Sequence, residues 1–457
     1  MAADAKQSPV LFDPGHFQTF RFLARELDAR GRVTLRYALD EEIFFTEEFD
    51  LPVEAQLRDA ELRAADGLLA LLHWVAGVSY FKTAAPPELS CEAGIPWPAA
   101  AALLEALYSE GLGEFAYANG LPSLPRPSFP HGAVPETVPP GNEQPLERLL
   151  VPVGGGKDSA VAIEIARRTG RELALFSVGN APPIARTAGV AGLPHLIAER
   201  RLDPGLLALN RAGALNGHVP VTAIVSCAAI LTAALRGFDA VVMANERSAS
   251  SGNVVWDGVE INHQFSKGVA VELLLRGALA QAAAAVQVFS ILRPASELAI
   301  ARAFARMEPY HQAFTSCNAI FRSDPALRAE SWCCDCPKCR FVFLALAPFS
   351  DPTHLREIFG RDLLDDERQF AGFALLMASG GHKPFECVGE EEESLAAVRM
   401  LASDERWSAH RVVRRLVEEV LPGHPPGAGD PAHVLALSED HAVPEALMAD
   451  VRAVLAA

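Results

Sequence analysis

The segment that most constrains the fold is a glycine-rich loop between two apolar runs. Residues 149–153 predict a buried strand, and residues 160–166 predict a helix. The loop between them has the sequence Gly-Gly-Gly-Lys-Asp-Ser. Glycines let backbone N–H groups approach an anion closely, and a helix N-terminus adds its dipole, so this junction favours a phosphate ligand. A tight strand-to-helix turn without a ligand is the alternative.

The loop differs from two well-known phosphate-binding motifs, the Walker loop and the dinucleotide fingerprint, because the glycine spacing of neither is met. Three glycines followed by x-Asp-Ser resemble the PP-loop of the ATP pyrophosphatase superfamily, whose members split ATP between the α and β phosphates. The resemblance implies ATP ligands at Gly154, Gly155, Gly156, Lys157, Asp158, Ser159 and Val178. Asp158 is also the expected Mg²⁺ ligand. Lys157 either offsets charge on the pyrophosphate or is solvated.

Length, charge and the distribution of apolar residues limit the kinds of partner that this protein can bind. The 457 residues allow two or three domains, and the formal charge of −17 disfavours a nucleic-acid backbone as partner. The first eight residues lack the apolar run of a signal peptide. The longest uncharged run, residues 219–235, contains Pro220 and several hydroxyl residues, so it predicts a buried helix. We expect a cytoplasmic protein without a membrane partner; its oligomeric state stays open.

The chain divides into four predicted regions. Residues 1–145 form an N-terminal α+β region that could act as a substrate lid and ends in a proline-rich stretch, and residues 146–300 alternate strands with helices. Residues 301–349 hold a cysteine cluster, and residues 350–457 have helical periodicity. The alternation predicts an α/β fold with a doubly wound parallel sheet, PP-loop and HUP-like by resemblance. The predicted sheet strands cover residues 149–153, 173–178, 195–199, 239–246 and 287–292.

Three smaller patterns complete the predicted elements. In the first region, residues 33–39 alternate like a strand and residues 44–49 pair with them as a hairpin, before a helix over residues 57–75. The fifth strand is followed by Arg293, Pro294, Ser296 and Glu297, which form either a ligand position or a capping box with Ser296 as the cap. The acidic run at residues 390–393 predicts a solvated helix start.

The cysteine spacing points to a metal. Cys333, Cys336 and Cys339 form two Cys-x-x-Cys turns that share Cys336, and Cys317 can supply a fourth thiolate. Four thiolates suit a tetrahedral structural Zn²⁺, while an iron–sulfur cluster or free thiols are the alternatives. Cys334 could replace Cys333, although the spacing favours Cys333. The segment also resembles the zinc segment of the 7-cyano-7-deazaguanine synthase branch of PP-loop enzymes.

Polar segments follow the predicted strands. Asn245, Arg247 and Ser248 lie at the end of the fourth strand and are candidates for substrate binding, with Arg247 and Lys267 facing anionic groups. A solvated loop capped by serines is the alternative. His218 precedes the apolar helix, where a lone histidine is more often structural than catalytic.

Together these segments resemble one family of PP-loop enzymes, the UDP-N-acetyl-α-D-muramoyl-L-alanyl-L-glutamate epimerases of bacterial cell-wall synthesis. The segments that carry the resemblance are residues 151–159, 215–222, 243–250, 262–267 and 336–341. The resemblance implies inversion of the terminal L-glutamate of UDP-MurNAc-L-Ala-L-Glu to D-glutamate, with ATP converted to AMP and diphosphate. It implies ATP and Mg²⁺ as cofactors and the UDP-MurNAc-dipeptide as substrate, beside a structural zinc.

The implied chemistry needs groups that move a proton. Adenylation turns the α-carboxylate into an acyl phosphate, a better electron sink, so that a base can remove the α-proton. The candidates are, in falling order, His218, His263, Glu246 and Lys267; the resemblance supplies no base. A PP-loop ligase or amidase similar to 7-cyano-7-deazaguanine synthase is one alternative. A nucleotide-binding module without enzymatic activity is another.

Overall fold

The computed structural model describes residues 12–133, 146–282, 284–321, 328–378 and 383–456. Within them the strands are β1 (Thr19–Leu27), β2 (Arg32–Leu39), β3 (Ile43–Asp50), β4 (Glu88–Cys91), β5 (Arg148–Pro152), β6 (Glu172–Val178), β7 (His195–Arg201), β8 (Ala240–Met243), β9 (Val254–Trp256), β10 (Val259–Ile261) and β11 (Gln287–Ser290). Of the predicted proline-rich stretch, residues 134–145 lie outside the described residues.

The α-helices in the same residues are α1 (Asp59–Ala76), α2 (Val78–Phe81), α3 (Pro98–Tyr108), α4 (Gly113–Ala118), α5 (Lys157–Arg168), α6 (Pro182–Ala191), α7 (Pro204–Ala212), α8 (Val221–Arg236), α9 (Val269–Gln281), α10 (Glu297–Phe304), α11 (Pro337–Leu346), α12 (Pro352–Phe359), α13 (Phe370–Leu376), α14 (Glu391–Ala402), α15 (Arg411–Arg415), α16 (Pro431–Val434) and α17 (Glu445–Leu455). Short 3₁₀ helices include Arg247–Ser250 and Phe265–Lys267.

The chain forms two compact units that alternate along the sequence. The first unit takes the described residues of 1–143, 198–237 and 274–285, and the second takes those of 144–197, 238–273 and 286–457. The four predicted regions follow local sequence patterns, whereas these units follow contacts between residues distant in sequence. The predicted boundaries therefore stay a prediction.

The second unit contains a parallel sheet. β5 pairs in parallel with β6 on one side and β8 on the other, and β8 pairs in parallel with β11. The first residues of β7 lie beside β6. Numbered along the chain, the order is 3-2-1-4-5, the doubly wound arrangement with its switch point between β5 and β8. The predicted α/β fold with parallel strands is confirmed; the PP-loop assignment stays a prediction.

Both flanks of that switch point are built from short apolar strands. Leu149, Leu150 and Val151 in β5 are fully buried, as the continuous apolar run predicted. The predicted fourth strand, residues 239–246, is shorter in the structure, since β8 ends at Met243. The chain leaves the strand there because the Asn245 N–H donates to the Ser290 hydroxyl (2.6 Å), outside the strand ladder.

Helices of the second unit share one apolar core with its sheet. Residues of α5, α10, α11, α14 and α17 all contribute buried side chains to it. The helix predicted after residues 390–393 is present as α14, but the expectation of a solvated start is wrong at Glu393, which is only 2% exposed. Its carboxylate accepts hydrogen bonds from the Ser248 hydroxyl (2.6 Å) and the Glu297 N–H (2.7 Å), which hold it inside.

The first unit is built on an antiparallel meander, β1-β2-β3, with β4 parallel to β1. The predicted strand and hairpin over residues 33–49 are confirmed, with Arg36 opposite Thr46. Helix α1 packs beside the meander; the Tyr37 hydroxyl on β2 donates to the His73 carbonyl on α1 (3.0 Å). A Cβ at Gly77, after α1, would lie 2.6 Å from the Phe22 ring, so close packing requires glycine there.

One helical stretch in the described residues, Asp59–Phe81, is long and apolar enough to cross a membrane by length and composition. Of its apolar window, 83% is buried inside the protein, and the core helix of a soluble protein passes the same test. This stretch is weak evidence for a membrane span.

Candidate functional site

The glycine loop lies at the switch point of the second unit's sheet, beyond the carboxyl end of β5. In doubly wound sheets this position holds the ligand. The polar residues after β8 lie at the carboxyl end of the neighbouring strand. Val178, a predicted ATP ligand, is the half-buried last residue of β6 and precedes Gly179, whose φ is +73°. The doubly wound order therefore brings three sequence-predicted segments to one edge of the sheet.

The loop is closely packed. The Gly154 N–H donates to the Ser159 hydroxyl (2.9 Å), and the Gly155 carbonyl accepts from the Thr315 N–H (3.0 Å). Gly155 has a φ of +82°, and a Cβ there would lie 2.6 Å from the backbone of Pro183. Since L-residues rarely adopt this conformation, the loop needs glycine at position 155.

Lys157 is the first residue of α5 and is 1% exposed, so the solvated alternative is wrong. Its ammonium forms ion pairs with the carboxylates of Asp158 and Glu297. Burial by itself would lower the pKa of Lys157, but these two carboxylates outweigh it and raise the pKa above the usual value. Lys157 is thus a fixed internal cation.

Asp158, Glu246 and Glu297, here called the carboxylate trio, each offer an oxygen, and these oxygens lie within 4.8 Å of one another. Glu246 and Glu297 are each 1% exposed. Burial and the neighbouring Asp158 raise the pKa of Glu297, although Lys157 opposes them. Oxygen Oε1 of Glu246 is buried and has no hydrogen-bond partner among the described residues. Carboxylate oxygens in this arrangement fit Mg²⁺.

The trio joins residues that the sequence assigned separately. Asp158 was the predicted Mg²⁺ ligand, and Glu246 a candidate base. The sequence did not decide whether the segment with Ser296 and Glu297 binds a ligand or caps a helix. Ser296 is the cap, because its hydroxyl accepts from the Ala299 N–H (3.1 Å), and Glu297 is free to enter the trio. Lys338 lies 3.9 Å from the second oxygen of Glu297 and adds another cation.

Arg293, which follows β11, fixes the backbone around the trio. It is 1% exposed and forms an ion pair with Glu272 (3.0 Å). Its guanidinium also donates to the carbonyls of Glu246 (2.6 Å) and Lys267 (2.5 Å). One buried cation thus holds the backbones of two sequence-predicted residues in place. The sequence offered Arg293 only as part of a possible ligand position after the fifth strand, and its contacts with Glu272, Glu246 and Lys267 were not predicted.

The predicted substrate ligands have partners inside the protein. The Arg247 guanidinium donates to the carbonyls of Val434 and Ala436 (both 3.2 Å). The Ser248 hydroxyl donates to Glu393. Asn245 is held through its backbone by Ser290, and its side chain is half-buried. Arg247 and Ser248 therefore bind the C-terminal helices to the strand edge; substrate binding by these three residues stays a prediction.

Lys267 and His263 meet a residue that the sequence did not indicate. The Lys267 ammonium lies 3.7 Å from the Cys387 sulfur and donates to the Gln264 side chain (3.2 Å). Burial would lower the pKa of Lys267, but Cys387 and Glu246 raise it. Burial would raise the pKa of Cys387, yet Lys267 and a hydrogen bond from His263 lower it to about 6. Cys387 is 120 positions from Lys267, in a region predicted only to be helical, so no local pattern could indicate it.

His218, the first candidate base, belongs to the first unit. Its ring lies 3.9 Å from the Glu114 carboxylate, and both side chains are partly exposed. In the same segment, the Lys82 ammonium donates to the Asn216 side chain (2.6 Å). Burial lowers the pKa of Lys82 to about 8. Catalysis by His218 stays a prediction.

The four predicted zinc ligands converge. The sulfurs of Cys317, Cys333, Cys336 and Cys339 lie within 4.8 Å of one another, with Cys333 and Cys339 at 3.7 Å. Cys336 is the N-cap of α11, and its sulfur accepts the backbone N–H of Cys339 (3.4 Å). Cys334 is outside the cluster, because its thiol donates to the Phe359 carbonyl (3.2 Å). Four convergent thiolates fit tetrahedral zinc.

Comparison with known proteins gives two family matches and close relatives. The family model described as MurL N-terminal domain matches residues 11–291, and the MurL C-terminal domain matches residues 313–427. Proteins from Salinispora tropica and a Micromonospora species are each 49% identical over 409 residues, covering 88% of this chain and 88% and 90% of their own. A Xanthomonas oryzae protein is 42% identical over 445 residues, 97% of this chain and 98% of its own. All three are named UDP-N-acetyl-alpha-D-muramoyl-L-alanyl-L-glutamate epimerase.

A doubly wound sheet with buried, titratable side chains at its switch point is the architecture of an α/β enzyme. The relatives are epimerases by name, and this enzyme is an isomerase. The chain belongs to the MurL family, to which its two matched domains and its relatives assign it over most of its length.

Proposed function

We propose that this enzyme inverts the terminal L-glutamate of UDP-MurNAc-L-Ala-L-Glu to D-glutamate, in the synthesis of peptidoglycan precursors. The observation that carries the proposal is the 42% identity over 97% of the chain to a relative named for this reaction. Agreement over that length includes both the sheet edge and the C-terminal segment that holds Cys387. We place the reaction in the cytoplasm, where ATP is supplied.

The proposal includes ATP as the source of activation. The glycine loop supports a phosphate ligand, because it connects the carboxyl end of β5, at the switch point of the sheet, to the N-terminus of helix α5. The carboxylate trio beside it supports Mg²⁺, which when bound would offset charge on the phosphates. Asp158, Glu246 and Glu297 would hold the ion, while Lys157 keeps two of these carboxylates in place.

Adenylation explains why an epimerase would use ATP. A free carboxylate resists loss of its α-proton, because the carbanion would place a second negative charge beside the first. In the acyl adenylate, the acyl oxygen accepts the electron pair of the broken C–H bond. The cations near the trio, Lys267 and Lys338, are the groups of this unit that suit the developing negative charge. Reprotonation from the opposite face and hydrolysis then give the D-epimer and AMP.

The cysteine cluster has a structural part in this proposal. Four thiolates would complete the coordination of a zinc ion and leave no position for substrate. Cys317 and Cys339 are buried with Ala319 and Ile320 in a small apolar cluster, away from solvent. The ion would therefore join the start of α11 to the segment around Cys317.

The test is solvent isotope uptake. We expect incubation with UDP-MurNAc-L-Ala-L-Glu, ATP and Mg²⁺ in D₂O to place deuterium at the glutamyl α-carbon, with AMP and diphosphate released and D-glutamate found by chiral analysis. Omission of ATP, or its replacement by an analogue that cannot be cleaved between the α and β phosphates, should abolish the uptake. AMP formation without deuterium would refute epimerisation, and AMP formation only with added ammonia would indicate a ligase.

A further inference from the structure

We propose that Cys387 is a catalytic acid–base residue of this enzyme, with its sulfur carrying the proton of the glutamyl α-carbon on one face. The inference rests on the proposed epimerisation and adds a group that the sequence candidates did not include. It is argued from the cluster that Cys387 forms with Lys267 and His263, all in the second unit.

The cluster brings a thiol to two groups that stabilise a thiolate. The Lys267 ammonium is 3.7 Å from the sulfur, and the His263 ring hydrogen-bonds it. The Lys338 ammonium also acts on the sulfur, and together these groups keep the pKa of Cys387 at about 6 despite burial. The adjacent Glu386 carboxylate accepts a hydrogen bond from Asn318 (2.8 Å). At neutral pH the sulfur is therefore an anion that can accept a proton.

The position of the sulfur is fixed by the polar segment after β8. The Asn253 side chain donates to the Pro384 carbonyl (2.6 Å), and the Asn253 side-chain oxygen accepts the His263 N–H (2.8 Å). Gln264 donates to the Val388 carbonyl (3.3 Å) and accepts from Lys267. The side chains of Asn253 and Gln264 thus tie the Cys387 segment to His263 and Lys267, and this fixed geometry is what a proton-transfer group requires.

The cluster belongs to the same site as the carboxylate trio. Glu246, Asp158 and Glu297 all raise the pKa of Lys267, the cation that faces the Cys387 sulfur. Glu246 is 1% exposed, and its Oε1 has no partner among the described residues. The thiolate therefore shares its cation with the residues proposed to bind Mg²⁺, where the activated carboxylate would form.

The other candidates in this unit suit the role less well. The raised pKa keeps Lys267 protonated, so it is a counter-ion and not a base. Glu246 is part of the trio. His263 hydrogen-bonds the sulfur and so stabilises the thiolate. Of these groups, Cys387 is the one that can accept a proton without giving up a role in metal binding or in stabilising the thiolate.

The proposed step balances without an oxidant. The C–H bond at the glutamyl α-carbon breaks, the proton moves to the Cys387 sulfur, and the electron pair passes into the activated acyl group. A bound water or a protonated side chain on the opposite face then gives a proton to the α-carbon. The thiol returns its proton to solvent, so carbon and sulfur keep their oxidation states.

The test separates activation from proton transfer in Cys387→Ser and Cys387→Ala, with Cys91→Ser as the matched control. Cys91 is a half-buried cysteine of the first unit whose pKa burial raises to about 12. We expect diphosphate release from ATP, measured in a single turnover, to stay within about 3-fold of wild type in both Cys387 variants. Deuterium uptake should fall at least about 100-fold, the usual contribution of an acid–base group. Cys91→Ser should match wild type in both.

A second measurement follows the thiol directly. Alkylation of the full protein by iodoacetamide should show a fast phase with a midpoint near pH 6 that Cys387→Ser removes and Lys267→Met moves to higher pH. Wild-type deuterium uptake in Cys387→Ser would overturn the inference and leave the proposed function intact. Loss of both diphosphate release and uptake would overturn it as well, because the residue would then serve binding. Absence of uptake in the wild type would instead refute the proposed function.

Discussion

At the scale of single residues, the site is a balance of buried charges. Lys157 and Lys338 face the trio of Asp158, Glu246 and Glu297. Isolated buried charges are expensive, so each must have an opposite charge or a bound ion beside it. Glu246 differs from the other two carboxylates because its buried Oε1 has no hydrogen-bond partner among the described residues. A divalent cation bound to that oxygen would supply the positive charge that it lacks.

Glu246→Gln should therefore change the metal requirement and leave folding nearly unchanged. We expect the Mg²⁺ concentration for half-maximal diphosphate release to rise at least about 10-fold, since one charged oxygen ligand is lost. Thermal unfolding should stay close to wild type, because Glu246 forms no ion pair within 4 Å among the described residues that the change would break. Glu308→Gln, at an exposed position, is the control. If deuterium uptake stays lost at saturating Mg²⁺, Glu246 is a base and its assignment to the metal is wrong.

Some of these residues were accessible from sequence and others were not. The glycine loop, Asp158 and Lys157 are adjacent, so a local pattern indicated them. Glu297 meets Lys157 across 140 positions, and Glu393 meets Ser248 across 145. An acidic run such as residues 390–393 normally lies in solvent, and only the tertiary contacts of Glu393 reveal that it is buried. Long-range pairing of charge leaves no periodic signal in a single sequence.

At the scale of elements, the cysteine cluster joins two chain segments. Cys336 caps the N-terminus of α11 and Cys339 lies in its first turn, while Cys317 precedes the short helix Asn318–Phe321. A zinc ion about 2.3 Å from each sulfur would hold neighbouring sulfurs about 3.8 Å apart. The 3.7 Å between Cys333 and Cys339 matches that geometry. Spacing in the sequence predicted this element well because three of the ligands are neighbours.

We expect the purified protein to contain about one zinc per chain, measured by elemental mass spectrometry. Cys336→Ser should lose the metal and lower the unfolding temperature, because the remaining thiolates would repel one another. Cys334→Ser is the matched control: a serine hydroxyl can also donate to the Phe359 carbonyl, so its zinc content should equal wild type. Stoichiometric iron would indicate a cluster instead, and metal-free protein of wild-type stability would indicate free thiols.

At the scale of the whole molecule, the interleaving of two units is the feature that local patterns could not reveal. The sequence predicted the alternation of strands and helices from residue 146 onward. Residues 198–237 and 274–285 nonetheless belong to the first unit. Helix α8 was predicted as an apolar helix. In the structure it packs on α1 within the first unit, and most of its residues are buried. Periodicity shows that a helix has an apolar face, but not which element covers it.

At the scale of the whole molecule, a buried histidine also makes stability sensitive to mild acid. His73 on α1 is fully buried among Phe22 and Tyr37; its Nε2 contacts the Arg36 carbonyl (3.2 Å), and its Nδ1 has no partner among the described residues. Burial lowers the pKa of His73 to about 3. Above the unfolded value of 6.5 the ring is neutral in both states. As pH falls toward 3, only the unfolded chain gains the proton, so the unfolding free energy decreases.

His73→Phe keeps the ring packing and removes this titration. At pH 7.5 we expect the variant to lose about 1 kcal/mol, the value of one hydrogen bond. Between pH 7.5 and 5, wild type should lose roughly 2 kcal/mol more than the variant, since 1.5 pH units below the unfolded pKa correspond to that free energy. Urea unfolding at several pH values measures the difference, and His433→Gln, at an exposed position, should follow wild type. Parallel pH curves for wild type and His73→Phe would show that His73 has the same pKa in the folded and the unfolded protein.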